Sequence, residues 1–322
     1  MAAIFVYITH KNGTADDSAF ELAAAAKALD AAAAPCAIVL GGTADVGQVA
    51  GQVAPYFSEV ITIANDALQY PNAEVYRKAL ATILPAKSLL LLTHNSFSMD
   101  LAPGLSVKLD AAFASDVVGF EGIEGDTLKL VRQEHGGAVS SRSACGLANG
   151  AIISVRAGAF KPAEAGSQGA VVDKSTEVSD FSSKRSFVEV IAAEVGDIDI
   201  TKSEILVAVG RGIEEEDNLA MVHELAAAMG ADVACSRPVV DAKWLEKSRQ
   251  VGTSGQTVSP KVYLALGISG SFQHMGGIKG SPFIVAVNKN KTAPIFQSAD
   301  IGVVADILDF IPVLTEKINA GK

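Results

Sequence analysis

Two loops rich in glycine, serine and threonine lie in the last third of the chain, and their residue types suit phosphate binding. The segment QVGTSG at 250–255 carries two glycines and two hydroxyls, and GISGSFQH at 267–274 follows the apolar run VYLAL at 262–266. Small residues let backbone N–H groups approach an anion closely. The pattern predicts a site for a phosphate-bearing ligand, although QVGTSG alone is also compatible with an ordinary turn.

Charged and amide side chains at the ends of other apolar runs are candidates to complete this site. Arg211 and Arg237 each follow such a run, where a guanidinium can clamp a phosphate or offset negative charge on a cofactor. Asn288 and Asp306 end two later runs and can bond a phosphate, a ribose or an adenine amine. Each of three residues also has a purely structural interpretation: Arg211 as a solvated loop residue, Arg237 as part of a surface ion pair, and Asp306 as a helix cap.

Several patterns that would indicate other chemistry are missing. Gly210-Arg211-Gly212 lacks the third glycine of a dinucleotide fingerprint, because Glu215 holds that position. HExxH and GxSxG are absent, and the five histidines have no metal-ligand spacing. His274 alone lies in a loop directly after a strand, where it can bond an anionic ring. The three cysteines form no CxxC pair and predict buried thiols in a reducing compartment.

Alternating strand and helix patterns must position these residues. They predict an α/β fold of two domains, in which an N-terminal doubly wound, mostly parallel sheet precedes a smaller open α/β domain. We expect the N-terminal domain at 1–195, a linker at 196–203 and the second domain at 204–322. Within the first domain a helix is expected at 100–113. An antiparallel extension is expected from strands at 127–135, 150–158 and 186–195.

Bulk composition narrows the function further. The 322 residues are 49% hydrophobic, which is enough for two cores, and the formal net charge of −10 argues against a nucleic-acid surface. The start MAAIFVYITH has no basic segment and predicts a first strand, not a signal peptide. No apolar run is long enough to span a membrane, so a cytoplasmic protein that is not embedded in a membrane is expected.

The motifs VGRG, SRPVVDA, QVGTSG, YLALGISGSFQH, AVNKNKTAPIFQSAD and VVAD occur in this order, and together they resemble the α subunit of electron transfer flavoproteins. The resemblance is close over 204–322 and looser before it. It implies one FAD per heterodimer, held mainly by the C-terminal domain. It also implies a β subunit that carries AMP or a second FAD, to which the N-terminal domain would dock.

The resemblance assigns the cofactor site residue by residue. Three side chains, Arg237, Ser254 and His274, are implied to tune the flavin. The implied FAD contacts are Arg211, Ser236, Arg237, Val251, Gly252, Thr253, Ser254, Ser269, Gly270, Ser271, Phe272, Gln273, His274, Asn288 and Asp306. The chain departs from the family pattern at Thr253, where glutamine is common, and at Gln256, where lysine is common; Ile301 replaces a common tyrosine.

The implied function is that of an electron carrier without a small substrate of its own. It would accept electrons from flavin dehydrogenases, such as the acyl-CoA dehydrogenases of fatty acid oxidation, and pass them to a membrane quinone oxidoreductase or another acceptor. Three alternatives remain open at this point. They are an NADH-oxidising, electron-bifurcating relative, an NAD(P)-dependent α/β enzyme, and a nucleotide-binding regulator without a redox role.

Overall fold

The computed structural model describes residues 3–135, 139–166, 168–190, 198–280 and 282–321. The chain divides into one unit at Met1–Glu189 and a second at Val190–Lys322. The predicted linker at 196–203 begins among residues outside the described ranges. Its position, and the domain bounds expected from the sequence, therefore stay predictions.

Eleven strands and four helices make up the described part of the first unit. The strands are β1 Ile4–Tyr7, β2 His10–Lys11, β3 Thr14–Ala15, β4 Cys36–Gly41, β5 Glu59–Ala64, β6 Leu89–Thr93, β7 Ala112–Glu124, β8 Thr127–Glu134, β9 Val139–Gly146, β10 Ala151–Val155 and β11 Ala170–Asp173. The helices are α1 Ser18–Leu29, α2 Val46–Val53, α3 Ala73–Ile83 and α4 Ser96–Leu109.

These strands form one large sheet in the order β11-β5-β4-β1-β6-β10-β7-β8-β9, with β2 and β3 in a separate hairpin. All neighbours from β11 to β7 are parallel, while β8 and β9 extend the edge antiparallel. Apolar side chains pack on both faces of the parallel part. Burial on both faces explains the continuous apolar runs of β1, β4 and β6, and the predicted doubly wound sheet is confirmed.

The helix expected at 100–113 is misplaced at both ends. α4 begins four residues earlier, because the side chain of Asn95 accepts a hydrogen bond from the Ser98 N–H at 2.8 Å. It ends at Leu109, because Asp110 adopts a left-handed conformation with φ +51°. The residues from Ala112 onwards belong to β7 instead.

The expected antiparallel extension is correct only in part. The strand expected at 127–135 is β8 and is antiparallel, as predicted. The strand expected at 150–158 is β10, which lies parallel between β6 and β7 inside the main sheet. No strand forms at 186–190, and the rest of that expected strand lies outside the described residues.

The described part of the second unit holds five strands and four α-helices, which alternate except that only a short 3-10 turn separates the last two strands. They are β12 Ile205–Val209, α5 Leu219–Met229, β13 Asp232–Cys235, α6 Arg237–Asp241, β14 Val262–Leu266, α7 Phe272–Met275, β15 Phe283–Val287, β16 Ile301–Val303 and α8 Ile307–Ala320. The sheet order is β13-β12-β14-β15-β16, all parallel. Two apolar clusters cover its faces, so the predicted smaller open α/β domain is confirmed.

This strand order determines where a ligand can bind. The chain goes from β12 outwards to β13 on one side, and then crosses to β14 on the other. In open α/β sheets, ligands bind outside the carboxyl ends of the strands at such a reversal. The loops after β12 and β14 are therefore the expected site. Among the described residues, no helix is both long enough and apolar enough to cross a membrane.

Candidate functional site

The carboxyl ends of the C-terminal strands are level with one another. Val209 of β12 pairs with Cys235 of β13 and with Leu266 of β14. Leu266 in turn pairs with Val287 of β15, which pairs with Val303 of β16. The residues that follow these strand ends therefore leave the sheet at one edge, where the sequence-predicted site residues are concentrated.

Glycines allow the loops after β12 and β14 to touch backbone to backbone. A Cβ on Gly210 would lie 2.4 Å from the carbonyl oxygen of Gly267, and one on Gly267 would lie 2.8 Å from the Cα of Gly212. Gly267 has φ +63°, which side chains rarely adopt. Gly270, with φ +79°, lies against the backbone of Ile295 in the same way. These contacts fix the loops after β12 and β14, and the turn at Ile295, close together at the sheet edge.

The two predicted ligand loops are bonded directly to each other. The Thr253 N–H donates to the Gln273 carbonyl at 2.8 Å, and the Val251 N–H donates to the Cys235 carbonyl at 2.9 Å. Gly252, with φ +141°, approaches Gln273 so closely that a Cβ would lie 2.9 Å from its carbonyl oxygen. The structure thus brings the segments 251–254 and 269–274 together, as one continuous surface.

Ser254 is held by a residue that the sequence analysis did not single out. The Gln250 side-chain amide donates to the Ser254 Oγ at 2.9 Å. Gln250 is itself only 4% exposed, and its carbonyl accepts from the Gln256 N–H at 2.6 Å. Because the Ser254 oxygen accepts this bond, its hydroxyl proton is free to donate to a ligand.

His274 lies under the same surface. It is 4% exposed, and its Nε2 lies 2.8 Å from the Tyr263 hydroxyl oxygen. Its Nδ1 is buried and has no hydrogen-bond partner among the described residues. Burial lowers the pKa of His274 to about 4, and the Val251 backbone acts in the opposite direction. The ring is therefore neutral at pH 7.

A second buried group below the loops was also missed. Arg249 is 7% exposed and donates from Nη1 to the Val233 carbonyl at 2.9 Å. Burial raises the pKa of the Cys235 thiol to about 12, with Arg249 acting in the opposite direction. Arg249 directly precedes the QVGTSG segment, Gln250 is its first residue, and Tyr263 lies in the apolar run VYLAL. Residue spacing alone gave no signal that these three side chains support the loops.

The two predicted arginines lie on the surface at the strand ends. Arg211 is exposed in a short turn after β12. Arg237 opens α6 directly after the buried Ser236, and its side chain is 69% exposed. Its Nε lies 3.3 Å from Asp241 Oδ2, one turn along the helix. A surface ion pair of this kind contributes little to stability, so the guanidinium can turn toward an anion at little cost.

The remaining predicted residues have structural contacts of their own. The Asn288 side chain donates to the Ile268 carbonyl at 2.9 Å and accepts from the Asn290 N–H. Asp306 caps α8 by accepting from the Leu308 N–H at 3.0 Å. Ser269 accepts through its carbonyl from Ile295, whereas Ser271 and Phe272 are exposed at the start of α7. Within the described residues, no hydrogen bond joins Arg211 or Asp306 to the segment 251–254.

Comparison with known proteins gives matches along nearly the whole chain. Residues 4–179 match the model of the electron transfer flavoprotein domain, and residues 199–279 match that of the electron transfer flavoprotein FAD-binding domain. An electron transfer flavoprotein subunit alpha from Methylophilus methylotrophus is 35% identical over 329 residues, covering 99% of this chain and 100% of the relative.

Two further relatives are named as parts of larger complexes. An acryloyl-CoA reductase electron transfer subunit beta from Anaerotignum propionicum is 29% identical, with 99% of this chain and 96% of the relative covered. A lactate dehydrogenase (NAD(+),ferredoxin) subunit from Acetobacterium woodii is 32% identical, with 98% and 77% covered.

Proposed function

The chain belongs to the electron transfer flavoprotein family as an α subunit, and from this we propose that it binds one FAD at the strand ends of its C-terminal unit. The family is one of electron carriers that bind flavin, and its α subunits have a β-subunit partner. We propose further that the chain carries electrons between flavin dehydrogenases and a quinone oxidoreductase or another acceptor. The main support for this site is that the segments 251–254 and 269–274 are hydrogen-bonded to each other. The Nδ1 of His274, in the second segment, is buried and has no hydrogen-bond partner among the described residues.

The residues present fit a flavin nucleotide. A buried polar atom without a partner costs stability unless a ligand satisfies it, and the Nδ1 of His274 is such an atom. The glycines at 210, 212 and 267 let the loops after β12 and β14 pack backbone against backbone at the strand ends. Arg211 and Arg237 add positive charge at the same strand ends. A partly anionic ligand with a hydrogen-bonding ring would satisfy the His274 nitrogen and the two guanidinium groups.

FAD, when bound, supplies the electron acceptance and release on which such a carrier depends. The residues of the chain hold it and set the potential around it. Ser254 offers a hydroxyl proton, because its oxygen already accepts from Gln250. His274 acts as a neutral hydrogen-bond partner, and Arg237 brings the positive charge that favours added electron density.

We expect the other assigned residues to orient the nucleotide. The N–H groups of the segment 251–253 donate within the protein, to the carbonyls of Cys235, Gln256 and Gln273. We therefore expect this segment to support the nucleotide by close approach, and the loop at 269–273 to supply the polar contacts. Arg211 and Ser236 flank the end of β12 and would contact the phosphates or the ring system. We expect Asn288 and Asp306 to contact the ADP half of the cofactor. Both side chains already bond to backbone groups, so a contact with the cofactor would add to those bonds or replace them.

A bifurcating function is the second candidate, and the names of two relatives favour it. One is described as an electron transfer subunit of acryloyl-CoA reductase and another as a subunit of an NAD(+)- and ferredoxin-dependent lactate dehydrogenase. In that case the β subunit would hold a second FAD in place of AMP. The N-terminal unit would serve the same role in both cases, as the docking domain for the β subunit.

Counting flavins in the complex separates these proposals. The chain is co-expressed with its β subunit, purified, and its FAD measured per heterodimer before and after addition of NADH. We expect one FAD that a reduced flavin dehydrogenase reduces and that NADH alone does not. Two FADs with reduction by NADH would replace the proposal by the bifurcating one, and a complex without flavin would contradict both.

Replacing Gln250 by methionine tests how Ser254 is held. The change keeps the length of the side chain and removes the amide that donates to the Ser254 Oγ. We expect FAD to bind roughly fivefold more weakly, which corresponds to the loss of one hydrogen bond of about 1 kcal/mol. The dissociation constant is measured by flavin fluorescence in the purified complex.

Ser254→Ala and the double variant complete this test. If Gln250 acts through the Ser254 hydroxyl, the effect of Gln250→Met largely disappears once that hydroxyl is gone. Fully additive losses in the double variant would show that Gln250 affects binding by another route.

A further inference from the structure

Tyr263 and His274 form a buried pair that the proposed site does not yet explain. Tyr263 is the second residue of β14 and is 0% exposed, and its hydroxyl makes its one described hydrogen bond to His274 Nε2. The ring centroids are 6.1 Å apart with an interplanar angle of 58°, so the rings do not stack. The contact is therefore made through the hydroxyl and the imidazole nitrogen.

Both members of the pair are neutral. Burial raises the pKa of Tyr263 well above 10 and lowers that of His274 to about 4. A phenol and a neutral imidazole can share one proton in two ways. Either the Tyr263 O–H donates to Nε2 and His274 carries its own proton on Nδ1, or Nε2–H donates to the Tyr263 oxygen.

Counting the unsatisfied groups distinguishes the two arrangements. In the second, the Tyr263 O–H has no acceptor among the described residues, and the lone pair on Nδ1 also lacks a partner. In the first, the Nδ1–H group alone lacks a partner. Each buried group without a partner carries a desolvation cost, so the first arrangement is the more stable. It leaves a single N–H in need of an acceptor.

We infer that Tyr263 is a positioning residue that holds His274 in its Nδ1–H form, so that His274 donates a hydrogen bond to an acceptor atom of the bound flavin. This inference rests on the proposed function for the identity of the ligand. The tautomer itself follows from the Tyr263–His274 pair and holds without the ligand. A histidine with a free lone pair at Nδ1 would repel an acceptor atom that gains negative charge on reduction.

The direct test is the nitrogen NMR spectrum of the flavin-free, full-length complex with labelled histidine, since the two ring nitrogens shift differently when protonated. The His274 signals are assigned by their loss in His274→Asn. We expect protonated Nδ1 in the wild type and a mixture or the Nε2–H form in Tyr263→Phe. Finding Nε2–H in the wild type, or unchanged Nδ1–H in Tyr263→Phe, would overturn the inference; the wild-type spectrum decides even if the variant does not fold.

A double-variant cycle connects the tautomer with the flavin. Asparagine at 274 places an amide N–H near the position of Nδ1 and has no tautomer to fix. We expect Tyr263→Phe to weaken FAD binding roughly threefold to tenfold with histidine at 274, and less than twofold with asparagine there. Equal losses in both backgrounds would assign Tyr263 a merely structural role. A wild-type complex that binds no FAD would contradict the proposed function, while the NMR result would still stand.

Discussion

Replacing Gly267 by alanine removes FAD from the protein and destabilises the C-terminal unit by roughly 3 kcal/mol, whereas the same change at Gly230 costs only about 1 to 2 kcal/mol. Both glycines have φ +63°, so both variants carry the cost of a left-handed alanine. Around Gly230 a Cβ would meet nothing within 4 Å, but at Gly267 it would lie 2.8 Å from Gly212 Cα and 3.0 Å from Ile307 Cδ1. The difference between the two variants measures the effect of the close approach of Gly267 to Gly212 and Ile307.

Urea unfolding of the flavin-free complex gives the free energy of unfolding. A flavin count in the refolded protein then gives the amount of FAD that each variant binds. Gly230→Ala should retain its FAD, because Gly230 ends α5 away from the strand ends. Equal stability losses at the two positions, or full flavin content in Gly267→Ala, would mean that the contact between the Gly210–Gly212 turn and Gly267 is not required for the site.

Stability of the flavin-free C-terminal unit falls by roughly 3 kcal/mol between pH 7 and pH 4 because of His274 alone. The pKa of His274 is about 4 in the folded chain, against an ordinary value of 6.5. The unfolded chain therefore takes up a proton first as the pH falls. The contribution of the neutral ring is fully present above about pH 6.5 and is lost as the pH falls toward about 4.

Unfolding midpoints at several pH values check this expectation. Carboxylates titrate in the same range, so the quantity of interest is the difference between the wild type and His274→Asn, which cannot titrate at this position. His223→Asn, on the exposed side of α5, controls for the loss of one imidazole and should retain the wild-type slope. A His274→Asn variant with the same slope as the wild type would contradict a neutral, buried His274.

The fold could be predicted from the sequence wherever one local signal dominates. Strand β14 was predicted residue for residue, because the five-residue apolar run VYLAL at 262–266 has polar loops on both sides and therefore fits only one strand. The start of α4 was missed because its signal is the cap Asn95, which precedes a helix with Pro103 in its interior. The parallel pairing of β10 depends on β6 and β7, which are distant in the sequence, so the local pattern did not reveal it.

The sequence predicted only the residues proposed to contact the ligand, and not those that hold these residues in place. Glycine and hydroxyl residues in loops after strands are a local pattern, and the structure brings 251–254 and 269–274 together. The residues that hold them, Gln250 and Tyr263, were not predicted. Tyr263 occupies an apolar strand position, and only the fold brings its hydroxyl to His274.

The central claim is that the loops at the strand ends of the C-terminal unit hold the FAD, and hydrogen exchange of the complex with and without FAD tests it most directly. Bound FAD should slow amide exchange in the loops at 210–212, 250–256 and 267–277, and leave the strands of the N-terminal sheet unaffected. Unchanged exchange in these loops, with protection elsewhere in the described chain, would contradict the claim.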